Sequence, residues 1–374
     1  MKILYYFENK PTLMDQWQTY HFFSELNSYG VEIVVFSPLI FESFSEANLA
    51  LLDFLKENKV DLFMTPYNED KIFISTLIAI DKLNIAKLLI CFDNLVVPFE
   101  HKTVCSYFDL VWLTSKETEY LFQQWGANTI FLPYAANPSL FKPLKISEIN
   151  KVCFIGTPYG SRVNTLNMLV EKNIQVDLYS NFLKSKSLPS IKSNPSMLDY
   201  LGPFFNLARF SYGRKIIKGA LKQKLLRTSN LAVDNENITF KSPVPLPELG
   251  AVYSSYSLSL SSTAARNTGV LKKPLNIINL RSFEIPMAGG LQICPYTDEL
   301  ASYFKEDEEI LFYHSSEELI EKSNYYLAED NFDLRQKIKI AARLRAETDH
   351  SWSARFECVF NRLDIHFPRE TFNG

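Results

Sequence analysis

The sequence predicts an α/β protein of two doubly wound domains, and three observations predict it. Short apolar runs of strand length alternate with amphipathic stretches along most of the chain. The alternation stops once, at the proline-containing, polar stretch Asn137 to Asn150, and it resumes with a glycine-bearing turn that the first half lacks. The 374 residues exceed one ordinary core and fit two. Apolar residues at 47% and charged residues at 22% exclude a disordered chain.

Residues 1–145 are the first domain. Strands are expected at Ile3–Tyr6, Val31–Phe36, Leu62–Thr65, Lys87–Cys91, Leu110–Leu113 and Ile130–Leu132, with helical stretches at Trp17–Tyr29, Leu49–Asn58 and Ser115–Trp125. Near-continuous apolar strands separated by helices indicate a parallel sheet covered on both faces. The junction after the first strand, Tyr6 to Asp15, contains no glycine, so its backbone is unsuited to close approach by a pyrophosphate. This half is expected to shape a pocket for another molecule. Cys91-Phe92-Asp93-Asn94 follows the fourth strand, where loops face a ligand crevice. Asp93, Glu100 and His101 are therefore candidates for a general base on an acceptor side, with Asp93 first because of its place after a strand.

Residues 146–350 are the second domain. Its opening strand, Lys151–Ile155, runs into Gly156-Thr157-Pro158-Tyr159-Gly160-Ser161-Arg162 and then a helix over Val163–Glu171. Gly156 permits close backbone approach, the Thr157 hydroxyl can donate to a phosphate, and Arg162 adds charge beside a helix N-terminus that favours an anion. An ordinary βα turn has a similar composition, so the turn gains meaning from a second stretch, Arg281 to Cys294. That stretch reads as a short helix with Ser282 near its N-cap and Pro286 in its first turn, a stop at Gly289-Gly290, and a buried strand. Glu284 in the first turn suits the two hydroxyls of a ribose, and Arg281 suits a bidentate grip on a diphosphate. Taken alone, the pair also reads as a dipole-complementing glutamate with its salt-bridge partner. Residues 351–374 include one more helix, Ser353 to about Leu363.

Charge is unevenly distributed. The net charge is −3, yet residues 184–227 hold ten Lys/Arg against the single acid Asp199. Apolar residues interleave at helical spacing from Phe210 onward, beside Arg214, Lys215, Lys218 and Lys222. Three readings stand: attachment to an anionic membrane surface, a basic face packed on its own domain, and a grip on an acidic glycan. Gly213 and Gly219 weaken such a helix in solution and suit a segment that orders on contact. No nucleic-acid fold signature accompanies the charge, so a nucleic-acid partner is not expected. The five cysteines are scattered, and three sit in apolar runs as core thiols of a reducing compartment. Met1 to Tyr6 lacks the apolar stretch of a signal peptide. The expected location is cytoplasmic, with the basic segment offering a peripheral site at the inner face of a membrane.

Several words carry a family resemblance: Arg281-x-Phe283-Glu284-x-x-x-x-Gly289, then Ser316-Glu317-Glu318-Leu319 and Asn324-Tyr325-Tyr326-Leu327. Phe108-Asp109 through Thr114, Gly126, and Leu132-Pro133 through Pro143 add to them. The chain resembles the CgeB-like glycosyltransferases, relatives of the group-1 glycosyltransferases of GT-B fold, from about residue 90 to about 360 and more weakly between 185 and 235. The resemblance implies two Rossmann-like domains facing across a cleft, a terminal helix crossing back onto the first domain, and a nucleotide-sugar donor on the second. It gives Glu284 as the donor-ribose ligand and Asp93 as the match to an acidic residue of the first domain. Many group-1 members carry a second glutamate eight residues earlier; here that position is Asn276.

The expected activity is metal-independent transfer of a sugar from a nucleotide sugar to a glycan or lipid-linked glycan, as in bacterial surface polysaccharide or glycoconjugate synthesis. Asp93 and Arg281 are the expected catalytic residues, and Gly156, Thr157, Arg162, Arg281 and Glu284 the donor ligands. No cofactor is expected, because the sequence has no Asp-x-Asp pair and basic side chains are present for the diphosphate. An epimerase or hydrolase of nucleotide sugars on the same frame, or a non-catalytic sugar-binding protein with a degenerate donor site, are the alternatives.

Overall fold

The computed structural model describes residues 1–10, 13–144, 147–181, 201–226, 230–265 and 267–368. The chain divides into two compact units, Met1–Ser139 with His350–Gly374, and Leu140–Asp349.

Unit 1 is built on six parallel strands: β1 (Lys2–Tyr6), β2 (Glu32–Phe36), β3 (Leu62–Thr65), β4 (Ala86–Cys91), β5 (Leu110–Leu113) and β6 (Thr129–Phe131). Their order is β2-β1-β3-β4-β5-β6. The helices are α1 (Leu13–Gln18), α2 (Ser24–Ser28), α3 (Phe44–Glu57), α4 (Ile74–Asp81) and α5 (Glu119–Gln124), with a wide π turn over Thr19–Phe23 joining the first two. Helix α3 begins five residues before its expected start because the Ser43 hydroxyl caps it by accepting from the Glu46 amide. Strand residues Leu4, Phe63, Leu89 and Val111 pack on Leu51, Leu77 and Ile80 of α3 and α4 as one core.

Unit 2 repeats the plan with β7 (Ile149–Ile155), β8 (Val176–Tyr179), β9 (Ile238–Lys241), β10 (Tyr256–Leu260), β11 (Gln292–Pro295) and β12 (Leu311–Tyr313), in the order β12-β11-β10-β7-β8-β9. Its helices are α6 (Ser161–Glu171), α7 (Leu201–Ala208), α8 (Ser211–Leu225), α9 (Leu249–Ser255), α10 (Arg281–Met287), α11 (Asp298–Ala301), α12 (Ser316–Leu327) and α13 (Phe332–Asp349). The stretch Lys184 to Asp199 of the basic segment lies outside the described residues. One sheet face is apolar: Val152, Phe154, Leu258, Leu260, Ile293 and Leu311 pack against α6 and α12. The opposite face carries Cys153, Ser259 and Gln292 in register.

Past unit 2 the chain ends in α14 (Trp352–Arg362), which belongs to unit 1. Trp352 is fully buried and donates from Nε1 to His21 Nδ1 at 3.0 Å. Its ring packs against Trp17, Phe22 and Trp112. The Glu25 carboxylate of α2 accepts from the Ser353 and Trp352 amides at 2.7 and 3.3 Å, satisfying donors that the start of α14 leaves open. Among the described residues no helix is long and apolar enough to cross a membrane.

Candidate functional site

In the second sheet β7 has β8 and then β9 on one side and β10 to β12 on the other. The chain therefore reverses its winding between β7 and β10, and ligands of doubly wound sheets bind beyond the strand ends at such a point. Two loops meet there, one after β7 and one after β10. Gly156 follows β7 with φ +143°, a conformation that side chains other than glycine rarely adopt. A Cβ at Gly156 would lie 3.2 Å from Nη2 of Arg281. The glycine thus makes room for a guanidinium from a residue far along the chain.

Arg162, in the first turn of α6, donates from Nη1 to the Thr157 carbonyl at 3.3 Å and lies over the Tyr159 ring at 4.4 Å. Burial holds its pKa below the usual guanidinium range; Tyr159 opposes this and the charge of Arg281 adds to it. Two arginines are therefore close enough to repel each other at one turn. Neither meets a carboxylate within ion-pair distance among the described residues. Such a pair is a ready site for a doubly charged anion.

Arg281 is placed by a residue that the sequence reading missed. Asn279 donates from Nδ2 to the Ser262 carbonyl at 3.1 Å, and its Oδ1 accepts from the Arg281 amide at 3.1 Å. The Asn279 carbonyl accepts from Ser282 N at 3.0 Å. This ties the loop after β10 to the start of α10 and corrects the expected boundary. The helix begins at Arg281, Ser282 is buried inside it, and Pro286 lies past the first turn. An asparagine two residues before the arginine is the signal that marks this start. Glu284 stands in the first turn as expected and is 3% exposed. Gly289, at φ +69°, ends the helix. Buried Tyr253 shares this neighbourhood: burial raises its pKa well above the phenol range, Glu284 raises it further and Arg281 opposes.

Asn276, at the position of the second family glutamate, is part of the loop's own scaffold. Its Oδ1 accepts from the Thr263 hydroxyl at 3.1 Å, between backbone bonds from Ala265 to Leu275 and from Ile277 to Thr263. The same loop touches the start of α6 through Gly269, where a Cβ would lie 2.2 Å from Ser161 Oγ.

Helix α8 lies on both loops, with Gly219 against the loop after β10 and Gly213 against the end of α7. A Cβ on Gly219 would sit 2.7 Å from the Asn267 carbonyl oxygen, and one on Gly213 would sit 2.0 Å from that of Leu207. The glycines read from sequence as weakening the helix also allow backbone to meet backbone. Gln223 packs its amide against Gly160, and Lys222 donates to the Val270 carbonyl at 2.7 Å. Arg214, Lys215, Lys218 and Lys222 are all exposed.

In unit 1, Asp93 follows β4, and its carbonyl accepts from the Val96 and Val97 amides. The turn is held by buried Asn94, which donates to the Ser115 carbonyl and Thr118 hydroxyl and accepts from the Thr114 and Ser115 amides. Partial desolvation raises the Asp93 pKa. Glu100 is raised as well, by desolvation and then by Asp93 and Asp70. His101 is buried, with Nε2 at 2.9 Å from the Pro66 carbonyl, so this nitrogen carries the proton and ties the loop to the end of β3. Burial lowers its pKa. A further cluster sits after β1 and β3, the winding reversal of this sheet. Buried Glu8 is bridged to Lys10 and Lys71, each at 2.6 Å, and its amide donates to the Tyr67 hydroxyl at 2.6 Å.

Residues 214–361 match the family described as Glycosyl transferase-like. No curated protein matches the sequence. Solved structures match along the whole length. A glycosyltransferase from Rickettsia africae is 11% identical, with TM-score 0.62 over 98% of this chain and 99% of that one. Anabaena HepE, solved with UDP and glucose, is 13% identical, with TM-score 0.58 over 97% and 99%. Sucrose-phosphate synthase from Thermosynechococcus elongatus is 14% identical, with TM-score 0.55 over 97% and 99%. The fold is GT-B. At these identities the likeness is one of fold; the family match includes Arg281 and Glu284, whereas Gly156 and Arg162 lie before its start.

Proposed function

We propose that the chain is a glycosyltransferase that takes a sugar from a nucleotide sugar bound on unit 2. The observation that carries this reading is the convergence of Arg162 and Arg281 on the Gly156 turn with no carboxylate at ion-pair distance among the described residues. A diphosphate supplies the missing negative charge, and Glu284 of the same helix as Arg281 takes the ribose hydroxyls. The family match over residues 214–361 and the UDP complex of HepE support the reading. The sequence words around Arg281 and Glu284 resemble those of the CgeB-like enzymes.

In the reaction the bond from the anomeric carbon to the diphosphate oxygen breaks, and an acceptor hydroxyl oxygen bonds to that carbon. The leaving diphosphate gains negative charge, which Arg162 and Arg281 stabilise most as it develops. Asp93 of unit 1 is our assignment for the base that takes the acceptor proton, since its carboxyl has a raised pKa. His101 is the weaker candidate because its Nε2 is occupied by Pro66. The acceptor class we propose is a glycan or lipid-linked glycan, reached by peripheral attachment to a membrane. A screen of nucleotide sugars, UDP-glucose first, tests the donor claim by thermal stabilisation and by release of the nucleoside diphosphate. A donor that stabilises wild type but not an Arg162→Ala/Arg281→Ala variant is expected. Stabilisation by no nucleotide sugar, or by the same amount in both proteins, contradicts it.

A further inference from the structure

Helix α8 has two faces with different work. Its inner side meets the loops of the proposed donor site through Gly219 and Gln223, and Lys222, at the edge of the outer face, reaches the Val270 carbonyl with its amine. At about 100° per residue, Arg214, Lys215, Lys218, Leu221, Lys222 and Leu225 fall together on the opposite third of the circumference. All six are exposed, Leu221 by 59% and Leu225 by 84%. The helix contains five basic residues and no acidic one. Leu226, just past its end, is 47% exposed.

The geometry points to this face as a docking surface for an anionic lipid bilayer, which seats unit 2 with its donor loops one helix thickness from the lipid. An acidic polysaccharide would engage the lysines and leave the leucines in water. A bilayer interface takes both, the ammonium groups among the headgroups and the leucines below them. Lys215, Lys218 and Lys222 flank the Leu221–Leu225 line on one side and the exposed Lys224 on the other, so the two attractions act on one surface. The glycine contacts hold the helix already formed, which lowers the ordering cost of binding. The docking rests on the proposed donor site only for its consequence, that the acceptor is presented at a membrane surface.

Co-sedimentation with vesicles tests it, using phosphatidylcholine alone and phosphatidylcholine with phosphatidylglycerol, at low and high salt. Wild type is expected in the pellet only with the anionic vesicles, and it should be released by salt. Lys215→Glu/Lys218→Glu should weaken binding by more than about 25-fold, taking about fivefold per charge. Leu221→Ser/Leu225→Ser should weaken it by at least about tenfold. Circular dichroism and melting on each variant show that it is folded. Failure of wild type to bind anionic vesicles at low salt overturns the inference, as does equal binding by the charge-reversed protein. Retention on an acidic polysaccharide without vesicle binding overturns it in favour of a glycan. The absence of any nucleotide-sugar response would sink the donor reading and leave the vesicle result standing.

Discussion

In the proposed function Glu284 and Arg281 divide the donor between them, and the division has measurable consequences. Glu284→Gln keeps the shape and removes the charge that strengthens bonds to ribose hydroxyls. Donor binding should weaken by roughly 1–3 kcal/mol, the range for a charged hydrogen bond, as read by titration calorimetry. Arg281→Ala should lower kcat more than it weakens donor binding, because its target charge develops during the reaction. Wild-type kinetics in both would return the stretch to a purely structural role. Asp93 makes a separate claim. A base must be ionised, so kcat/KM should fall as pH drops through its pKa, which desolvation raises above the ordinary aspartate value. Asp93→Asn should lose turnover by about 10²–10⁴-fold, together with that acidic limb. An acidic limb that persists in the variant would move the base elsewhere. Much of this was legible residue by residue: Gly156 and Glu284 stand where a strand exit and a first turn were expected. What was not legible is which distant residue fills the room that a glycine leaves. Gly156 makes way for Arg281, and Glu8 is bridged to Lys71, in each case through the fold and not along the chain.

Elements show the same division between local and distant causes. β3 and β5 have the bounds expected from sequence, and the other strands of the first sheet differ by about one residue at one end or both. Strands covered on both faces leave a continuous apolar signal. Helix α10 starts one residue before the expected cap because Asn279 is held by Ser262 across the loop, which no periodicity reports. Helix α8 was legible as basic and amphipathic. The close packing of its glycines, Gly219 on the loop after β10 and Gly213 on α7, was not legible, because a close contact and a weakened helix ask for the same residue. The attachment of α14 carries a prediction of its own. Burial raises the Glu25 pKa from 4.5 to about 7, against the bonds from Ser353 and Trp352 that lower it. The folded state therefore binds this proton more tightly than the unfolded chain. The Glu25 contribution should decline as pH rises through that window, by on the order of 3 kcal/mol in total. Glu25→Gln should flatten the dependence in urea melts recorded between pH 5 and 8. An unchanged slope would mean that Glu25 is ionised throughout.

At the scale of the whole molecule, the two units share one plan and differ at the points where their sheets reverse winding. After β1 the first unit presents Glu8, Lys10 and Tyr67 and no glycine; after β7 the second presents Gly156 and two arginines. Only the second allows backbone and guanidinium groups to close around a diphosphate. The central claim is therefore that nucleotide binds at the β7/β10 reversal of unit 2. Hydrogen exchange followed by mass spectrometry, with and without saturating UDP or another nucleoside diphosphate, tests it most directly. The expected result is slowed exchange over residues 156–164 and 279–285, lost in Arg162→Ala/Arg281→Ala. Slowed exchange over the segment after β1 with none at 156–164, or no change for any nucleoside diphosphate, would contradict it.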